Sequence, residues 1–95
     1  MLAKIIKVFP IVHRDYTDRL GAKQQFHSKG FLINAGEGTI YVEAIQETAT
    51  ALESFGVKED SLAFVQLVFS AREYKTAQGE VKMSNEVTLK QFIPV

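Results

Sequence analysis

Residues 39–56 read TIYVEAIQETATALESFG, and the period of their apolar positions changes part-way along. Ile40, Val42 and Ala44 alternate with Thr39, Tyr41 and Glu43, the two-residue repeat of a strand with one face buried. Beyond them Ile45, Ala49, Leu52 and Phe55 recur at steps of four, three and three, the spacing of one helix face. Gly56 then stands where a helix end favours the left-handed backbone, with apolar Val57 next, as in a Schellman ending. A strand at 39–44 therefore runs into a short helix between Gln46 and Phe55.

Working outward, Gly36-Glu37-Gly38 is a tight turn, preceded by a strand from about Gln24 to Asn34. Gly30 inside that strand predicts a bulge or a sharp coil. Residues 15–23, polar with Gly21 near the end, form a loop. The first strand spans about Ala3 to Arg14 and is apolar on both faces: Ile6, Val8 and Val12 on one, Ile5, Phe9 and Ile11 on the other. Such a strand suits a wall covered on its outer side by a helix, a loop or another subunit. Pro10, lacking an N–H, belongs at an edge, a bulge or a bend. Downstream, a long strand covers Leu62 to Lys75, a hairpin loop covers Thr76 to Glu80, and a last strand covers Val81 to about Phe92. Strand, strand, strand, helix, strand, strand is the order of an all-β, five-stranded OB-fold barrel with one short helix between strands three and four. A small α+β sheet or an SH3-like barrel shares the pattern.

Ninety-five residues make one domain, 1–95, and a 46% hydrophobic content can fill its core without staples. There is no cysteine, so disulfide and thiolate chemistry are excluded, which fits a reducing cytoplasm. The N-terminus mixes lysines into a short apolar run, unlike a signal peptide, and no apolar run approaches the ~20 residues that span a bilayer. The expected location is cytoplasmic, with no membrane partner. Net charge is zero but unevenly spread. Residues 1–35 carry +4, residues 36–61 carry −5 and residues 62–95 carry +1, which permits a basic and an acidic face on one small body.

The segment Phe69-Ser70-Ala71-Arg72-Glu73-Tyr74, followed by Gly79-Glu80 and a polar-faced last strand, resembles the last two strands of bacterial single-stranded DNA-binding proteins. Lys4-Ile5-Ile6-Lys7-Val8-Phe9-Pro10-Ile11, Gln25-Phe26 and Phe55-Gly56-Val57-Lys58-Glu59-Asp60 resemble a related group of short, uncharacterised bacterial OB-fold proteins. The resemblance covers most of the chain in scattered short matches. It implies an OB fold and single-stranded nucleic-acid binding. This chain departs from the DNA-binding family in having no tryptophan to stack bases, and roles that depend on that family's acidic tail are not implied by the resemblance.

OB folds bind single strands across strands two and three, between the loop joining strands one and two and the loop joining strands four and five. Such binding needs cations for phosphates and exposed rings for bases. The candidates are Arg14, Tyr16 and Lys23 at the first loop, Lys29 and Phe31 on strand two, Tyr41 on strand three, Arg72, Tyr74 and Lys75 on strand four, and Lys82 beyond the second loop. Phe26 and Phe31 are five apart and face opposite ways, so one of them belongs to the core, and Phe31 alone suits the core better than a platform. Asp15, Asp18, Glu43, Glu73 and Glu80 would repel phosphate, so weak and strongly salt-sensitive binding is expected.

Nothing in the chain has the spacing of a nucleophilic triad, a phosphate loop or a dinucleotide fingerprint. His13 and His27 fall on adjacent strands without a third ligand, and Asp15 and Asp18 suit a turn. The expectation is a non-enzymatic binder of single-stranded DNA, or of RNA, without metal or other cofactor, pairing as a homo-oligomer (dimer or tetramer) through its first strand. The rivals are an oligomerising protein-interaction module without nucleic-acid affinity, and, further off, a small enzyme or oligosaccharide binder.

Overall fold

The computed structural model describes residues 1–95. Five strands and one helix follow in the order β1 (Leu2–Thr17), β2 (Lys23–Asn34), β3 (Thr39–Ile45), α1 (Gln46–Phe55), β4 (Leu62–Lys75) and β5 (Val81–Pro94). The strands form one sheet that closes on itself in the order β1-β2-β3-β5-β4. Neighbours are antiparallel except β3 and β5, which run parallel and meet at Glu43↔Thr88. The β1–β4 seam is also short, from Leu2↔Phe64 to Lys4↔Leu62. The β1–β2 and β4–β5 pairs run on past the closed part as ribbons, giving overall dimensions of 42 × 32 × 18 Å.

The first strand shows why a both-faced apolar pattern need not mean a strand covered on both sides. Its register against β2 slips between Ile5 and Lys7 and again between Val8 and Ile11. Each slip inserts one extra residue, the definition of a β-bulge, and moves the inward set to the other parity. Ala3 and Ile5 therefore point inward, then Val8, then Ile11. Ile6 and Val12 stay exposed, so neither the helix nor a loop of this chain covers the strand's outer side. Pro10 lies in the second slip, where a missing N–H breaks no ladder bond.

The expected bulge at Gly30 falls on the partner strand instead. Gly30 is regularly paired with Glu43 of β3. Its lack of a side chain serves a neighbour: a Cβ there would overlap the hydroxyl and ring of Tyr41. The first strand also runs three residues further than expected, so Asp15 belongs to β1 rather than to a loop. The connection to β2 is held by Asp18, whose Oδ1 accepts N–H bonds from Leu20 and Ala22, both at 2.9 Å.

The helix occupies the expected residues. Gly56 ends it in the left-handed region (φ 77°), and its N–H donates to Leu52 O at 3.1 Å. That single bond is the αL ending rather than the Schellman one, which would also tie the Val57 N–H back to Leu52. Ala49 and Leu52 are the buried face of α1, which packs chiefly against β2 and β3, and they belong to one core cluster with Phe31 and Ile33 of β2, Val42 and Ala44 of β3, Ala63 and Val65 of β4 and Leu89 of β5. No helix is long and apolar enough to cross a membrane.

Candidate nucleic-acid interface

Alternation along β1, β2 and β3 sends Arg14, Tyr16, Phe26, Tyr41 and Glu43 to the outer side of the sheet. There they meet Arg72 of β4 and Glu86 of β5 across one open groove of about 760 Å³. Four of the ten residues expected from sequence are thus brought together: Arg14, Tyr16, Tyr41 and Arg72. They come from three strands, and no stretch of chain contains them all.

Tyr41 lies along the backbone of Gly30, with the Phe9 ring edge-on at 5.6 Å between centroids. Its ring is therefore supported from beneath while the residue stays half exposed. Burial of the hydroxyl, with the Glu43 carboxylate as a second cause, raises its pKa above the ordinary 10.0. The phenol remains a neutral donor well into alkaline conditions.

The groove's charges are balanced. Arg72 Nε lies 3.3 Å from Glu86 Oε1, an exposed pair that occupies the guanidinium without holding it tightly. Glu43 faces the same space. Arg14 makes no ion pair and is the cation most available to an anion.

Lys29 and Phe31 do share a face, as expected, but it is the inner one. Phe31 is wholly buried, and its removal would cost ~3–5 kcal/mol of core packing. It offers no surface to a base. Lys29 is 5% exposed. Its ammonium lies 5.8 Å from the Phe31 ring centroid and donates to Phe9 O (2.8 Å) and to Glu53 Oε2 of α1 (2.5 Å). The Phe9 carbonyl lies in the register slip of β1, so a lysine fills a vacancy that the bulge creates. Both residues leave the set of candidate contacts.

Lys23 lies outside the groove, beside Tyr16 in a smaller hollow at the β1–β2 turn. Tyr74, Lys75 and Lys82 lie near the far end of the β4–β5 ribbon, as the pairs Tyr74↔Lys82 and Lys75↔Val81. Phe26 joins the groove although it was not among the candidates. The signal was present: assigning Phe31 to the core turns Phe26, five residues away, to the other face. Glu86 was missed as well, because only the pairing of β4 with β5 brings it beside Arg72.

No protein-family model matches the chain, and no curated protein matches it.

Proposed function

We propose that this chain is a non-enzymatic binder of single-stranded nucleic acid, DNA in the first instance, acting through an OB-type barrel. The closed strand order, with a helix between β3 and β4, supports the barrel reading. The observation that carries the function is the convergence of Tyr16, Phe26 and Tyr41 with Arg14 and Arg72 on one groove. Rings with a free face stack bases of any sequence, and the arginines serve the phosphates. In this reading Lys23, Tyr74, Lys75 and Lys82 extend the track onto the two ribbons.

With Glu43 and Glu86 among the cations, stacking dominates over phosphate contact. The two groove arginines alone correspond to a slope of about −1.4 in log K against log salt, and each ribbon lysine that reaches a phosphate adds about −0.7. Fluorescence anisotropy with labelled oligo-dT, at low and moderate salt, tests the proposal. Tyr41→Ala should weaken binding by about 1–3 kcal/mol, the worth of a stacked base. Glu86→Gln frees Arg72 and should tighten binding. No anisotropy change at micromolar protein removes the proposal.

A second reading, self-association as an interaction module, is favoured by a different observation. Phe64, Val68, Phe69, Met83 and Ile93 are exposed on β4 and β5. By register Phe64, Val68 and Ile93 share one side of that ribbon and Phe69 and Met83 the other, whereas β1 exposes Leu2, Ile6, Val12 and Tyr16. Light scattering separates the cases: a strict monomer that binds oligo-dT leaves the first reading alone standing.

A further inference from the structure

His13 of β1 and His27 of β2 are direct cross-strand partners. Their Nδ1 atoms are 2.6 Å apart, with the ring planes at 84°. Register puts them on the opposite side of the β1–β2 ribbon from Arg14, Tyr16 and Phe26, so they belong to no part of the groove. We propose that this pair chelates a divalent transition-metal ion through the two Nδ1 atoms.

Metal–imidazole bonds are about 2.0–2.1 Å long, so two cis ligands at 90–109° sit roughly 2.9–3.4 Å apart. The pair therefore has to open by roughly 0.3–0.8 Å, which an exposed His13 and a half-buried His27 can do by small rotations about χ1 and χ2. At that separation one ring must donate its Nδ1 proton to the other. Metal binding replaces that shared proton with an ion, both rings then carrying their hydrogen on Nε2. The backbone supplies preorganisation, because the strand pairing already sets both imidazoles in place.

The surroundings define the class of ion. Asp15 follows His13 two residues along the same face, and its carboxylate favours a cation, although Gln25 Nε2 donates to it at 3.4 Å. Lys29 follows His27 two residues along on the same face, but its charge is spent on Glu53. No group of three or more His, Cys, Asp and Glu side chains is gathered here. Two protein ligands leave the remaining positions to water, so the site is an exchangeable one rather than a closed structural centre. Imidazole pairs prefer Cu²⁺, then Ni²⁺ and Zn²⁺, and give nothing to Mg²⁺, which demands oxygen ligands.

The full chain titrated with ZnCl₂ and followed by NMR tests this directly. The ring resonances of His13 and His27 should move together and saturate at one ion per chain, while MgCl₂ leaves them unmoved. Calorimetry with CuCl₂ should show tighter uptake than with ZnCl₂, and His13→Ala and His27→Ala should each abolish it. Histidine rings unmoved by Zn²⁺ in the wild-type chain would overturn the proposal without recourse to any variant. So would uptake that persists in both variants, since the ion would then sit elsewhere.

Discussion

Lys29 shows how far one residue's role depends on neighbours that sequence spacing does not reveal. A lysine in a strand next to a candidate groove suggests a phosphate contact. The structure instead buries it between a bulge carbonyl and Glu53. The two partners of that ion pair are not equivalent. Removing Lys29 leaves Glu53 46% exposed in its side chain, able to return to water, and leaves the Phe9 carbonyl without its donor. Lys29→Met should cost about 1–2 kcal/mol. Removing Glu53 strands a buried ammonium, so Glu53→Ala should cost more, about 3 kcal/mol, at the low end for a buried pair because one partner is wet. Urea denaturation measures both, and equal costs would refute this asymmetry. Asp18 gives a pH dependence. The Ala22 N–H chiefly holds its carboxyl below the ordinary 3.8, with desolvation opposing it and Gln24 and Leu20 assisting. A depressed folded pKa means that the turn is supported above the unfolded value and loses that support as pH falls through the folded one. The Leu20 and Ala22 amide shifts should therefore titrate with a midpoint under 3.8, and Asp18→Asn should erase the transition.

Among the elements, the bounds of α1 were legible and those of β1 were not, although of the four apolar positions read as one helix face only Ala49 and Leu52 are buried, Ile45 ending β3 and Phe55 lying exposed. The helix announces itself by period and by Gly56, two local signals that agree. The first strand's pattern is equally local but ambiguous. Ile6, Val8 and Val12 look like one face only if no residue is inserted, and two insertions scatter them between core and solvent. Nothing short of the β2 register reveals a bulge, although Pro10 marks where one was tolerable. The same limit applied at Gly30, where the glycine was visible and its reason, the Tyr41 ring, sat on another strand. A further test belongs at this scale. Gly56→Ala forces a Cβ into the left-handed region and should destabilise the chain by about 1 kcal/mol, read from its thermal midpoint. An unchanged midpoint would show that the cap contributes little.

For the molecule as a whole, the order of elements along the chain was readable because the helix's period differs from that of the strands and falls at one place in the series. The groove was half readable. The tyrosines and arginines were found by asking which strands and loops lie together in a closed five-stranded sheet. Glu86 and the burial of Lys29 depend on pairings that only the folded chain provides. The closure itself is uneven. β2 is paired along most of its length on both sides, whereas β3 meets β5 at Glu43↔Thr88 and β1 meets β4 over three residues. Two thin stitches thus join a three-stranded lobe carrying the helix to a two-stranded one. Subglobal opening should begin at those stitches, so in native-state hydrogen exchange the Val65 amide, bonded to Met1 O, should lose its protection at far lower denaturant than the amides in the middle of β2. The groove has walls in both lobes, with Arg14 and Tyr41 on one and Arg72 on the other, so any shift of one lobe against the other would change its width.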